Sequence, residues 1–148
     1  VDRLLSAHDL QSVPDPDAVL AEIARVLAPG GLALVQVPVL DATTTALPAA
    51  ATAAAGTARW SFGADVVERL EATGLEVDVL VTDELADLVA AGPAGWAKAP
   101  SSGEVDLGGV LTGLSGHPLT PVADQPTARR RGWTPAVLFC TFRARKGA

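Results

Sequence analysis

Methionine, asparagine and tyrosine are absent from the 148 residues, isoleucine and cysteine occur once each, and lysine twice. With Cys140 alone, no disulfide framework or multi-cysteine metal site can be built within the chain. No apolar run approaches the ~20 residues that a bilayer-spanning helix requires. Asp2, Arg3, His8 and Asp9 interrupt the first residues, which therefore do not read as a signal peptide. A cytoplasmic protein is the expectation. Scarce Asn, Ile and Lys beside abundant Ala, Gly, Pro and Arg is the bias of a GC-rich coding sequence. A chain that lacks Met and opens on Val1 reads as a fragment, or as a frame begun at a GTG codon.

What is present points to a globular fold. Hydrophobic residues make up 49% of the chain against 19% charged, too apolar a balance for a disordered segment. Its length suits one domain with one core. The net charge of −6 is unevenly spread, because all 17 acidic residues lie at or before Asp124 while six of the 11 basic ones lie from Arg129 onward. A basic edge facing an acidic remainder explains this better than a nucleic-acid surface, which the acidic balance disfavours.

Apolar spacing gives the elements. Leu4 and Leu5 lie in a short segment without turn signals, and a buried strand is expected over about residues 2–7. Asp15 can cap a helix with Pro16 at its first position, where a missing N–H does no harm, and Asp17 complements the positive end of the helix dipole. Val19, Leu20, Ile23, Val26 and Leu27 then fall on one helical face, and Pro29-Gly30-Gly31 stops the helix. Leu32 to Val37 is apolar almost throughout, as strands covered on both faces are. Strand, helix and strand with tight joins make a βαβ unit.

Residues 41–58, mostly Ala and Thr, show no periodicity and read as a loop with helical turns. A helix is expected over about 64–73, with Val66, Val67 and Leu70 inward and Gly74 as its stop. A strand follows over 75–81 and a short helix over 83–91, capped by Thr82 or Asp83. From Gly92 to Thr134 the chain is rich in Gly, Pro and Ser and reads as a long irregular connection, a lid or a partly disordered segment. A last strand over 136–145 would put Thr141 and Arg143 on one face, and Cys140, Phe142 and Ala144 on the other.

The run from Leu5 to Gly31, L-S-A-H-D-L-Q-S-V-P-D-P-D-A-V-L-A-E-I-A-R-V-L-A-P-G-G, closely resembles class I S-adenosylmethionine-dependent methyltransferases. Arg59 to Val77 and Trp133 to Cys140 agree with later parts of that family in order and spacing. The resemblance implies a partial Rossmann-like α/β sheet of about four strands, the last antiparallel and inserted between the two before it. It implies a single truncated domain over residues 1–148, the C-terminal half of the enzyme, with loops at 40–58 and 92–134. S-adenosyl-L-methionine is the implied cofactor and a small molecule the implied methyl acceptor. The departure is decisive: no G-x-G-x-G exists here, Gly108-Gly109 with Gly113 follows no expected strand, and the family's glycine-rich cofactor turn would lie upstream of Val1. A smaller departure is Gln11-Ser12, where many relatives carry Glu-His.

Ligands of open α/β sheets bind beyond the carboxyl ends of the strands, which singles out Ser6, His8, Asp9 and Gln11. His8 has the chemistry of a general base for an acceptor hydroxyl or amine, set against a plain hydrogen-bonding role in a loop. Trp60 and Phe62 are candidates for an acceptor pocket, set against core packing. Asp15 and Asp17 read as capping residues, Cys140 as buried and inert, and His117 lacks neighbours for a metal site. The chain alone is expected to be inactive. The rival reading is a non-catalytic interaction module, or a degenerate remnant, that pairs with a partner chain or with itself through its first strand.

Overall fold

The computed structural model describes residues 1–49, 57–96, 105–130 and 141–148. Strand β1 (Arg3–Ala7) leads through a 3-10 turn (Leu10–Ser12) to helix α1 (Pro16–Val26) and strand β2 (Leu32–Gln36). Short strands β3 (Val39–Asp41), β4 (Thr45–Ala46) and β5 (Trp60–Gly63) come next, then α2 (Val66–Glu71), β6 (Leu75–Thr82) and α3 (Asp83–Ala91). The chain continues through α4 (Pro93–Trp96), α5 (Leu107–Leu114), β7 (Leu119–Ala123), α6 (Gln125–Arg130) and β8 (Thr141–Lys146).

Five strands form a mixed sheet in the order β1-β2-β8-β6-β7, and β3-β5-β4 form a second, smaller one. Strand β8 runs antiparallel to both neighbours, while β1 with β2 and β6 with β7 are parallel pairs. The last strand thus inserts between β2 and β6, the two strands the sequence reading places before it, while the unexpected β7 lies on the far side of β6. The fold is α/β, with a fifth strand, β7, beyond the four expected.

Alternation along the strands decides which face is covered. Ala33 and Val35 of β2, Phe142 and Ala144 of β8, and Val77, Val79 and Val81 of β6 are buried. They share one core with Leu20, Ile23 and Leu27 from the α1 segment, Val66, Val67 and Leu70 of α2, and Leu107, Val110, Leu111 and Leu114 of α5. The intervening residues are half-buried or exposed, among them Leu32, Leu34 and Gln36 on β2 and Thr141, Arg143 and Arg145 on β8. One face of the sheet carries the core.

Helix α1 forms as its sequence dictates. The Asp15 carboxylate accepts from the Ala18 N–H at 3.0 Å, and Pro16 starts the first turn. At the other end, the Lys146 ammonium donates to the carbonyls of Ala24 and Leu27 at 2.8 and 2.9 Å. A cation on the last carbonyls suits the negative end of the helix dipole. Gly30 turns the chain with φ +73°, a conformation glycine adopts without steric cost.

Three expectations need correction. Strand β1 is not buried: it is an edge strand whose positions alternate between exposed and half-buried, with Leu5 73% exposed. The span 40–58 is not all loop, since β3 and β4 pair with β5. Nor is 92–134 irregular throughout, because α4, α5, β7 and α6 lie within it. Helix α5 escapes notice because three of its eight residues are glycine, yet Leu107, Val110, Leu111 and Leu114 keep helical spacing and Asp106 caps it. Strand β7 holds Pro121, which an edge strand tolerates. The expected strand residues 136–140, with Cys140, and Trp133 lie outside the described residues.

A core on one face only makes two substitutions unequal. Phe142→Ala should cost about 3–5 kcal/mol of unfolding free energy in urea titrations. Val122→Ser, at a position 55% exposed, should stay within about 0.5 kcal/mol. Equal losses would contradict this arrangement.

Candidate functional site

The parallel strands β1 and β2 end side by side, with Ala7 paired to Gln36. Immediately beyond, the His8 N–H donates to the Gln36 carbonyl at 2.9 Å, which anchors the turn leaving β1. His8 itself has φ +63° and is the one non-glycine residue with positive φ among the described residues. A side chain held in the left-handed region is uncommon, and such strain gathers where a site needs a particular direction. Ser6 is half-buried on β1, and His8 and Asp9 are exposed. The Asp9 carbonyl accepts from the Ser12 N–H at 3.1 Å, closing the 3-10 turn, and Leu10 is fully buried beneath it.

The second wall comes from the smaller sheet. The Arg59 N–H donates to the Gln11 carbonyl at 2.6 Å, and the Ser12 and Thr57 hydroxyls lie 3.2 Å apart. The Trp60 indole N–H donates to the Val13 carbonyl at 3.0 Å. Ser6, His8, Asp9, Gln11 and Trp60 are thus gathered around the carboxyl end of β1. Phe62 is not at this rim; it is 1% exposed and belongs to the core, the packing role weighed against the pocket.

Beneath β5 lies a polar network without a counterpart in the sequence reading. The Asp65 carboxylate accepts from the Thr44 N–H and hydroxyl at 2.8 and 2.6 Å, and Thr44 Oγ1 accepts from the Gly63 N–H at 3.1 Å. Arg69 donates to Asp65 at 3.0 Å and to both carboxylate oxygens of Asp17 at 2.8 and 2.9 Å. Burial works against the Arg69 charge, but hydrogen bonds to Asp17 and Asp65 outweigh it and raise the guanidinium pKa. The network ties α1 to α2 and to the turn before β4. Asp17 therefore has a partner 52 residues away besides its place in the first turn of α1.

Other candidates lie elsewhere. The His117 ring is 3.1 Å from the Glu68 carboxylate on α2. Among the described residues no group of three or more His, Cys, Asp or Glu is placed to hold a metal. An open groove of about 410 Å³ is lined by Asp83, Glu84, Asp87, Leu88 and Pro126. It lies along α3, which begins directly after the carboxyl end of β6.

Among the described residues, none forms a cradle that fits S-adenosylmethionine. A glycine-rich turn would present free backbone N–H groups after a strand. Here Gly108 and Gly109 open α5, and the Gly109 N–H is already bonded to the Asp106 carboxylate at 3.1 Å. Gly113 serves close packing, since a Cβ there would lie 2.5 Å from the Ala64 Cβ. No described strand is followed by a glycine-rich turn.

A family model described as "Methyltransferase domain" matches residues 1–35, which span β1, α1 and most of β2. No curated protein matches. Among solved structures, the chain is similar to the Haemonchus contortus phosphoethanolamine N-methyltransferase 2 in complex with phosphomonomethylethanolamine and S-adenosylhomocysteine (15% identity, TM-score 0.47), covering 99% of this chain and 34% of that one. It is also similar to the [4+2]-cyclase SpnF (18% identity, TM-score 0.47), covering 99% of this chain and 50% of that one. The chain spans about a third to a half the length of these structures. At such scores the weight rests on the family match. That match reaches from β1 through α1 into β2, and what it gives is a likeness to methyltransferase domains over this βαβ unit.

The strained backbone at His8 yields a prediction. His8→Gly should leave stability unchanged or raise it, whereas His8→Val should lower it by about 1–2 kcal/mol, because a β-branched residue is poorly tolerated in the left-handed region. Thermal or urea unfolding checks both. A stabilising His8→Val would show that the turn is not left-handed.

Proposed function

We propose that this chain is the C-terminal portion of an S-adenosylmethionine-dependent methyltransferase of a small-molecule acceptor, and that it transfers no methyl group on its own. The methyltransferase-domain match through β1, α1 and β2, joined to strand ends without a glycine-rich turn, carries the reading. A small acceptor suits a rim built of His8, Asp9, Gln11 and Trp60, with no cluster of Lys and Arg to follow a phosphate backbone. At that rim His8 is the group to take a proton from an acceptor hydroxyl or amine, and its exposed, directed position supports the role. Methyl transfer depends chiefly on aligning nucleophile and donor, so the lack of a catalytic dyad is no obstacle. No helix among the described residues is long and apolar enough to cross a membrane, and a cytoplasmic site is part of the proposal.

A second reading, an interaction module, is favoured by one observation: the outer edge of β1 has no paired strand among the described residues. Isothermal titration of the purified chain with S-adenosylmethionine separates the two parts of the proposal. The expected result is no heat of binding at micromolar ligand. Micromolar binding by this chain alone would overturn the claim of inactivity.

A further inference from the structure

Three consecutive residues at the end of the 3-10 turn are tied, one by one, to the segment that leads into β5. The Gln11 carbonyl accepts from the Arg59 N–H at 2.6 Å, and the Ser12 hydroxyl lies 3.2 Å from that of Thr57. The Val13 carbonyl accepts from the Trp60 indole N–H at 3.0 Å. Carbonyls leaving a short turn have no ladder to satisfy them, so these donors hold Gln11 and Val13 in place. The far end of β5 is fixed. Phe62 is 1% exposed and pairs with the fully buried Val39, and the Gly63 N–H donates to Thr44 Oγ1 at 3.1 Å. Toward the rim burial falls away: Trp60 is half-buried, and Arg59 and Thr57 are exposed. Strand β5 has its foot in the core and its tip on the turn that carries Gln11.

From this geometry we infer that Trp60 is a positioning residue, which through Val13 holds Gln11 at the acceptor rim, and that Thr57 to Trp60 form a clasp able to open without the core. Calling the rim an acceptor rim rests on the methyltransferase reading; the clasp does not. Its links are polar and lie at the surface, so opening exposes little apolar area and costs less than breaking the main sheet. The parts of the rim then separate. The His8 N–H stays bonded to the Gln36 carbonyl and Leu10 stays in the core, while Gln11, Ser12 and Val13 are released. Closure sets Gln11 beside His8, and opening removes it. Trp60 thus acts through its N–H, a role different from pocket lining and from plain core packing.

Native-state hydrogen exchange followed by nuclear magnetic resonance tests this on the purified chain and on Trp60→Phe, which keeps an aromatic ring and deletes the donor. The Ser12 N–H, bonded to the Asp9 carbonyl, and the Arg59 N–H, bonded to Gln11, are the reporters. Both should exchange roughly tenfold faster in the variant, the loss of about one hydrogen bond. The His8 amide and the amides of β2 and β8 should keep their rates, and the resonances of Gln11, Ser12 and Val13 should shift. Thr57→Val, an exposed substitution outside the core, should give the same pattern at smaller amplitude, and it decides alone if Trp60→Phe does not fold. Neither cofactor nor acceptor is needed, so this test and the methyltransferase reading can fail separately. Unchanged exchange at Ser12 and Arg59, or acceleration that extends equally to His8 and the β2–β8 ladder, would overturn the inference.

Discussion

Strand β8 holds the sheet together. Among the described residues it alone joins the β1-β2 pair to the β6-β7 pair, and it bonds antiparallel to β2 on one side and β6 on the other. Phe142 pairs with Val35 and with Val79, and Ala144 with Ala33 and Val77, so small and large residues interlock across three strands. The same register sets Arg143 opposite Asp78, where the two form an ion pair that Thr120 of β7 joins through hydrogen bonds to the carboxylate at 2.9 Å. At its end, Lys146 closes the last carbonyls of α1. A slip of one residue would turn Phe142 out to the open face and Arg143 into the core.

That constraint explains why the candidate residues come together at the end of β1. With β2 fixed by β8, β1 is fixed by β2, and the turn at His8 is pinned to Gln36. The smaller sheet is drawn against the 3-10 turn by Arg59, Thr57 and Trp60, and its far side is anchored through Thr44 and Asp65 to Arg69. Core packing, a half-buried polar network and a strained histidine turn are therefore successive layers of one scaffold.

Much of this was legible in the residues. The Asp15-Pro16 start and Pro29-Gly30 stop of α1 are local signals, and local signals need no tertiary partner. The apolar run of β2, the alternation in β6 and the inward Val66, Val67 and Leu70 of α2 were equally plain. Exposure of β1 was not, because Leu4 and Leu5 look alike in sequence and only the sheet order tells which of them faces water. The glycines of α5 hid a helix whose stability comes from burying Leu107, Val110, Leu111 and Leu114, not from propensity. For the candidate site, the strand-end rule of open α/β sheets pointed to Ser6, His8, Asp9 and Gln11. The Asp17–Arg69–Asp65–Thr44 network joins residues up to 52 positions apart and has no pattern in sequence that would announce it.

The central claim is that the last strand lies between β2 and β6. Backbone nuclear Overhauser effects of Phe142 test it most directly. The account requires cross-strand contacts from Phe142 to both Val35 and Val79. Contacts to only one of them, or contacts of Val35 with Val79 as immediate neighbours, would contradict it.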